Sequence, residues 1–509
     1  MNLLLAFILA SAVSAQDAKT AVDNWLLDDA KLGCKLGSAA ETVHSESTTN
    51  GVNFHVVSLK DGGFVVTAGD TRLGPVLAFS SGDINEFKEG MPLHDLVAGG
   101  LASAKAIVNA PKPAGAEDSA QEKKWKNLLD TTKTRVAGAT TLSDVRVAAM
   151  VKSYWNQKTA QSSSTTACYN YYTPNNYYCG CVATAIAQIL RYYQYPAKTV
   201  ALPTYTETCT VSGTAKELTT QGGKYNWSNM PFDPATLEKK GTLSTTYRKA
   251  IGKLCSDVGI LVNMDYAASG SGAYAHDAVK AFAAFGLSAK FMAVSPKESL
   301  GGTDEMRNVM ISNFDAGRPV LLGINASGLC GHAVVGDGYG YSDGCLYYHL
   351  NLGWGGTSDA WYLDDKINAN GYTFNNVATI VYNIYTTEDA ASVLCSGRVL
   401  NENGTVASGC EVKALDASGA TVATATSNDK GIYVLTVPAG EYSIVTESGE
   451  TSAKAKVKLV ACSNNTVAGA SVTRDFVAGN LANQDLTLKV GGAAEAESAP
   501  MRTIKVLLD

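Results

Sequence analysis

From Cys181 onward, apolar residues recur at Val182, Ala185, Ile186, Ile189, Leu190 and Tyr193. This spacing gives a helix one face to bury. It predicts a helix that opens at Cys181, directly after Gly180, and ends before Pro196. The N-terminal region follows a different period. Phe54-His55-Val56-Val57-Ser58-Leu59 and Gly63-Phe64-Val65-Val66-Thr67-Ala68 read as hairpin strands turned through Lys60-Asp61-Gly62, with a third strand over 76–80. Past residue 393, short Val/Thr/Ala-rich runs alternate with turns. The run 396–400 leads to Asn401-Glu402-Asn403-Gly404, 422–426 to Asn428-Asp429-Lys430-Gly431, and 433–437 to Pro438-Ala439-Gly440. Strands of this length and spacing predict a β-sandwich.

These changes of period divide the chain. Residues 1–15 read as a signal peptide: an apolar core, then the small-x-small site Val13-Ser14-Ala15. Residues 16–135 form an α+β N-terminal domain and its linker. The stretch 109–117 is Pro-bearing and polar, and a short helix with Lys123, Lys124 and Lys126 follows it. A catalytic-type segment spans 136–388, the sandwich 393–492 and a tail 493–509.

Composition narrows the function. At 509 residues with net charge −6, the chain offers no basic field for nucleic acid. No apolar run in the mature chain is long enough to span a bilayer. The 11 cysteines are an odd number. One reactive thiol would leave ten, and export permits disulfides. Cys179 is expected to be half of one. Cys179-x-Cys181 lacks the closely spaced second pair of a structural zinc site, so no metal and no cofactor is expected.

Three short runs carry chemistry. In Cys179-Gly180-Cys181-Val182-Ala183-Thr184-Ala185 a thiol stands at a helix start, where free N–H groups and the helix dipole favour the thiolate. Gly331-His332-Ala333-Val334 places a histidine in an apolar strand. Asn351-Leu352-Gly353-Trp354-Gly355-Gly356 brings an Asn before a Gly-rich turn. A thiol needs a base, and the base needs a third group to hold its ring. The order Cys, His, Asn is that of papain-like thiol peptidases. His276 and His349 lack a flanking Gly turn like that of His332 and are read as structural.

The same runs resemble the streptopain family. Gly180-Cys181-Val182-Ala183-Thr184-Ala185, Tyr192-Tyr193-Gln194-Tyr195-Pro196, the Gly331-His332 segment and the Asn351-to-Gly356 turn are similar to its motifs. Trp155-Asn156-Gln157 looks like the opening of its mature domain. Gly62-Gly63-Phe64 and Asp70-Thr71-Arg72-Leu73-Gly74-Pro75-Val76-Leu77 resemble its propeptide. The likeness covers roughly residues 16–385. It implies an α+β protein with a papain-like core, an α+β propeptide domain and, here, a C-terminal all-β sandwich. The last resembles carboxypeptidase-regulatory-like domains.

By position, the resemblance makes Cys181 the nucleophile, His332 its partner, Asn351 the orienter of the ring and Trp354 a shield over the pair. Gly180 and Gly331 flank the reacting groups. Ser269 and Ser271 lie in a Gly/Ser loop that borders the substrate cleft, and Gln157 joins the Cys181 N–H as a candidate oxyanion donor. Leu352 stands where the family often has Trp. The function implied is a secreted or cell-surface cysteine endopeptidase made as a zymogen, acting on proteins and peptides. Its propeptide is expected to pack over the Cys181 side as an intramolecular inhibitor, with cleavage between about Asn109 and Val145. The other function considered is a catalytically silent adhesion or binding protein on a peptidase scaffold.

Overall fold

The structure, a computed structural model, describes residues 11–28, 31–110, 117–132, 144–293, 302–324, 331–342, 345–356, 359–364, 377–386, 392–449 and 451–459. It also describes short pieces at 466–468, 471–473, 482–483, 486–487 and 489–490. The apolar core of the expected signal peptide (1–10), the centre of the expected linker (111–116) and the expected tail (493–509) lie outside them. The chain divides into two compact units, residues 1–281 with 321–378 and residues 282–320 with 379–509.

The first unit is organised by one long sheet. Its strands are β1 (Ala40–Ser47), β2 (Asn53–Leu59), β3 (Phe64–Ala68), β4 (Val76–Ser80), β5 (Asp144–Val147), β6 (Val320–Ile324), β7 (His332–Ser342), β8 (Cys345–Asn351) and β9 (Ala360–Asp364). The spatial order is β1-β2-β3-β4-β9-β8-β7-β6, with β5 paired to β7. The expected hairpin is present. Phe54 faces Ala68 and Ser58 faces Phe64, and the reversal runs through Asp61, Gly62 and Gly63, all at positive φ. Every residue of β3 and β4 is buried.

β1 was not legible in the sequence. Its pattern Ala-Glu-Thr-Val-His-Ser-Glu-Ser is polar because it closes the sheet as an edge strand, where charges discourage further pairing.

The N-terminal domain joins the catalytic part through this sheet. β4 pairs with β9, setting Phe79 opposite Trp361 and Ala78 opposite Tyr362. Phe79 also packs 5.6 Å from the Tyr347 ring and 5.1 Å from Trp25. Tyr347 Oη donates to the Val76 carbonyl (2.9 Å) and Trp125 Nε1 to that of Leu73 (2.9 Å). Trp25 lies in the helix Ala15–Asp28, whose start is capped reciprocally by Ser14 and Asp17. The expected cleavage site falls on that cap. Trp125 lies in Ala120–Leu129, the predicted lysine-bearing helix, which opens on a Ser119–Glu122 capping box.

The central helix runs from Cys181 to Tyr193. Its apolar face is as the periodicity predicts, but Val182 through Arg191 are all buried, not one face alone. Ala183, Thr184 and Ala187 are small enough for neighbouring backbone to pack on the second face. A Cβ on Gly353 would stand 3.3 Å from Thr184 Cγ2.

In the second unit, Leu287–Ala293 pairs antiparallel with Val377–Thr386. Asn313, in the helix Gly302–Asp315, accepts from the Asn383 N–H (2.8 Å). The sandwich follows. Ser392–Leu400 pairs with Ile432–Pro438 in one sheet. Thr421–Thr426, Glu411–Leu415, Gly440–Ser448 and Thr451–Leu459 neighbour one another in the other. Val393, Val399, Val412, Tyr433, Leu435 and Ile444 are buried in its core. The expected turns carry Gly404 and Gly431 at φ 81° and 74°.

Candidate active site

Cys181 is the first residue of the central helix, and Gly180 is its N-cap at φ 89°, ψ 149°. That conformation favours glycine. A Cβ on Gly180 would also stand 2.7 Å from Met264 Sδ and 3.0 Å from the Ser271 carbonyl. The Gly/Ser loop is thereby brought against the nucleophile's flank through Ser271. Ser269 is exposed further along that loop.

His332 opens β7 and hydrogen-bonds the Cys181 sulfur, which also receives the Ala333 and Val182 N–H groups. The thiol is partly exposed, while Cys179, two residues earlier, is fully buried. Burial by itself pushes the Cys181 thiol up. The His332 charge, the His332 hydrogen bond and the two N–H groups together outweigh it, so its pKa lies below that of an ordinary thiol. Burial pulls His332 down, but the Cys181 thiolate, the Leu352 carbonyl and the Asp95 carboxylate more than offset this and leave it above an ordinary histidine. Both shifts favour a thiolate–imidazolium pair.

The ring's second nitrogen shows where the sequence reading needs correction. His332 Nε2 donates to the Leu352 carbonyl (3.0 Å), not to Asn351. A backbone carbonyl can only accept, so this contact fixes the proton on Nε2 and leaves Nδ1 for the sulfur. Trp354 Nε1 lies 3.3 Å from the same nitrogen, and the two rings are 6.2 Å apart. With the Nε2 lone pair in the ring system, this contact is packing of Trp354 beside the imidazole.

Asn351 is 1 % exposed and fully engaged elsewhere. Its Nδ2 donates to the Ser153 carbonyl (2.9 Å), and its Oδ1 accepts from Gln188 Nε2 (2.9 Å) and the Gly353 N–H (3.1 Å). It therefore holds the peptide that carries the Leu352 carbonyl, one step removed from the ring.

Gln188 was missed as a hub. Its Oε1 accepts from Ser153 Oγ (3.1 Å) and the Trp155 N–H (3.2 Å), tying the helix to the segment that enters this part of the chain. The available signal was a glutamine inside an apolar helical run. Gln157 flanks the nucleophile loop, since its carbonyl accepts from the Cys179 N–H (2.8 Å).

Cys179 is a free thiol, not the expected disulfide half, as is every other cysteine among the described residues. Its sulfur lies 3.3 Å from Thr184 Oγ1 and in hydrogen-bond contact with Cys255. Neither does His349 stand idle in the sheet. Its Nδ1 is 2.6 Å from Asp337 Oδ1, and Trp361 meets it edge-on. His276 stacks on Tyr274. No group of three metal-ligating side chains occurs among the described residues.

The N-terminal domain reaches this site from the His332 side. Asp95, in the helix Pro92–Ser103, contributes its charge to His332, and Tyr362 Oη donates to the Leu96 carbonyl (3.4 Å). Cys181 and His332 remain in hydrogen-bond contact in this arrangement.

Comparison with known proteins finds matches over three stretches of the chain. The Peptidase C10 family model matches residues 151–362, Spi protease inhibitor residues 10–97 and the carboxypeptidase regulatory-like domain residues 395–473. Streptopain of Streptococcus pyogenes is 28% identical over 401 residues, covering 71% of this chain and 81% of that protein. The thiol protease/hemagglutinin PrtT of Porphyromonas gingivalis is 34% identical over 189 residues, 37% of this chain and 20% of that one. Among solved structures, a prointerpain A fragment of Prevotella intermedia is 22% identical with a TM-score of 0.47, covering 69% of this chain and 100% of that chain. Residues 151–362 thus match a peptidase C10 domain, and the chain is similar to streptopain-like cysteine peptidases, with a match to a propeptide-like inhibitor domain before that stretch and to a carboxypeptidase regulatory-like domain after it.

Proposed function

We propose that the protein is an exported cysteine endopeptidase made as a zymogen, with Cys181 as nucleophile and His332 as general acid and base. The observation that carries this is the hydrogen-bonded Cys181–His332 pair at a helix start, with the thiol pKa lowered and the imidazole pKa raised. The Cys181 thiolate attacks the scissile carbonyl carbon. The developing oxyanion is met by the Cys181 N–H at the helix start, with the Gln157 amide as the second candidate donor. His332 Nδ1–H passes its proton to the leaving amine, and a thioester remains. The same nitrogen then takes a proton from water, the hydroxide attacks the thioester, and the thiolate is released.

The Gly/Ser loop at Ser269 and Ser271 is the wall along which an extended substrate backbone lies. Export rests on the apolar N-terminus and its small-x-small site. No helix among the described residues is long and apolar enough to cross a membrane. The N-terminal domain acts as the intramolecular inhibitor, held by the β4–β9 pairing and by its approach to His332.

The test is casein hydrolysis by the processed protein, with an epoxysuccinyl thiol inhibitor and Cys181→Ala as controls. Activity that both abolish supports the proposal. Activity that survives Cys181→Ala ends it. Cleavage between about Asn109 and Val145 is expected to raise the rate, and separately expressed residues 16–120 to inhibit the processed enzyme.

A further inference from the structure

We propose that Asp359 is a positioning residue for His332, acting through Leu352. This rests on the Cys181–His332 reading above and extends it. Asp359 Oδ1 accepts from the Leu352 N–H at 2.9 Å, and the Leu352 carbonyl accepts from His332 Nε2 at 3.0 Å. The residue that holds the imidazole is therefore itself held from both sides. Asp359 takes the peptide before Leu352, and Asn351 Oδ1 takes the N–H of the peptide after it. The next residue, Gly353, is at φ 69°, so the carbonyl sits at a sharp turn whose direction depends on those two anchors. The Leu352 side chain is fully buried and adds nothing polar to this task.

The carboxyl of Asp359 is buried, and its surroundings oppose its charge. Its Oδ2 is buried with no hydrogen-bond partner among the described residues. A buried, unpaired carboxylate oxygen costs stability. Burial pushes the carboxyl up to about 6; the charge of His349 and the Leu352 N–H oppose this, and Asp337 adds to it. Asp337 holds His349 by the 2.6 Å contact and is itself fixed by the Val151 N–H on its Oδ2 (2.7 Å). His349 and Asp359 border a cavity of about 330 Å³, whose lining also includes Cys34, Ser81, Lys152 and Tyr154. From the N-terminal domain, Ser80 Oγ donates to the Asp359 carbonyl (2.7 Å).

The experiment compares Asp359→Asn, which keeps an acceptor for the Leu352 N–H, with the near-isosteric Asp359→Leu, which has none. Three readouts are taken: kcat and KM on a peptide after processing, thermal melting, and the pH dependence of iodoacetamide labelling of Cys181 in the full chain, located by peptide mass spectrometry. Expected for Asp359→Leu is a kcat loss of about 10–100-fold with KM within about twofold, as for a misplaced catalytic group. Its labelling midpoint should move to higher pH, because a loosened His332 stabilises the thiolate less. Asp359→Asn should keep most of kcat and nearly the native midpoint. A folded Asp359→Leu with native kcat and midpoint overturns the proposal. So does an Asp359→Asn that loses more than about tenfold, and this decides the matter if the Leu variant does not fold. Failure of the underlying reading is distinct: the label would then not appear on Cys181 in the unmutated chain.

Discussion

Cys181 and Cys168 are the same residue type, both reduced, in the same unit of the molecule. Burial drives the Cys168 thiol up to about 12, with only the Arg248 charge to oppose it. At Cys181 burial acts in the same direction but is outweighed by one imidazole and two N–H groups. Cys179 makes the point at closer range. It is two residues from Cys181 and 0 % exposed, yet its sulfur faces Thr184 Oγ1 instead of a base. Reactivity here is a property of the partners that the fold delivers, not of the cysteine or its neighbourhood in sequence.

The largest effects should come from removing either partner. Cys181→Ala and His332→Ala should each lower hydrolysis by at least about 10³-fold, and the double variant should be no worse, because the two act as a unit. Additive losses in a casein assay would break the contrast between Cys181 and the other thiols.

The second effect is selective alkylation. Near pH 7, iodoacetamide should label Cys181 on the order of 100-fold faster than Cys168 or Cys255, read by peptide mass spectrometry. A thiol whose pKa is lowered ionises at lower pH, so the labelling midpoint should fall below the ordinary ~8.5. His332→Ala should raise it. Because the His332 pKa is raised, the imidazolium should persist above its ordinary ~6.5 and extend hydrolysis toward alkaline pH. Equal labelling of all three thiols would remove the basis of the comparison.

A smaller effect is expected at Asn351. Asn351→Ala strands Gln188 Nε2 and frees the Gly353 N–H, both on buried groups. The expected cost is about 1–3 kcal/mol of stability in a denaturant titration, with kcat down about tenfold and the Cys181 labelling midpoint little changed. A loss as large as that of His332→Ala would mean that Asn351 contacts the ring during turnover. The smallest effect should be at Trp354. Trp354→Phe keeps an aromatic ring beside His332 but no N–H, and kcat/KM should stay within about threefold, as befits packing.

Much of the fold was legible because it is written locally. The β2–β3 hairpin shows in alternation and in Asp61-Gly62-Gly63, and the helix at Cys181 in its apolar spacing and leading glycine. The sandwich shows in regular turns around Gly404 and Gly431. β1 was not legible, since a solvated edge strand has no apolar face to betray it.

The sequence by itself determined the residue types available for the chemistry: a cysteine after a glycine at a helix start, a histidine entering an apolar strand and a Gly-Trp-Gly-Gly turn behind an asparagine. It also determined the local elements, since period and turn residues act over a few positions. Only the tertiary structure decided which group holds His332 Nε2. The answer is the carbonyl of Leu352, and a carbonyl is present at every residue and leaves no mark in sequence. Asp359 is likewise one of 47 acidic residues until the fold sets it against the Leu352 N–H. Phe79 and Trp361 become opposite partners only when two strands 282 positions apart (361 − 79) enter one sheet. Hydrogen bonds and strand pairing depend on distances of about 3–5 Å in space, and chain separation does not constrain those distances.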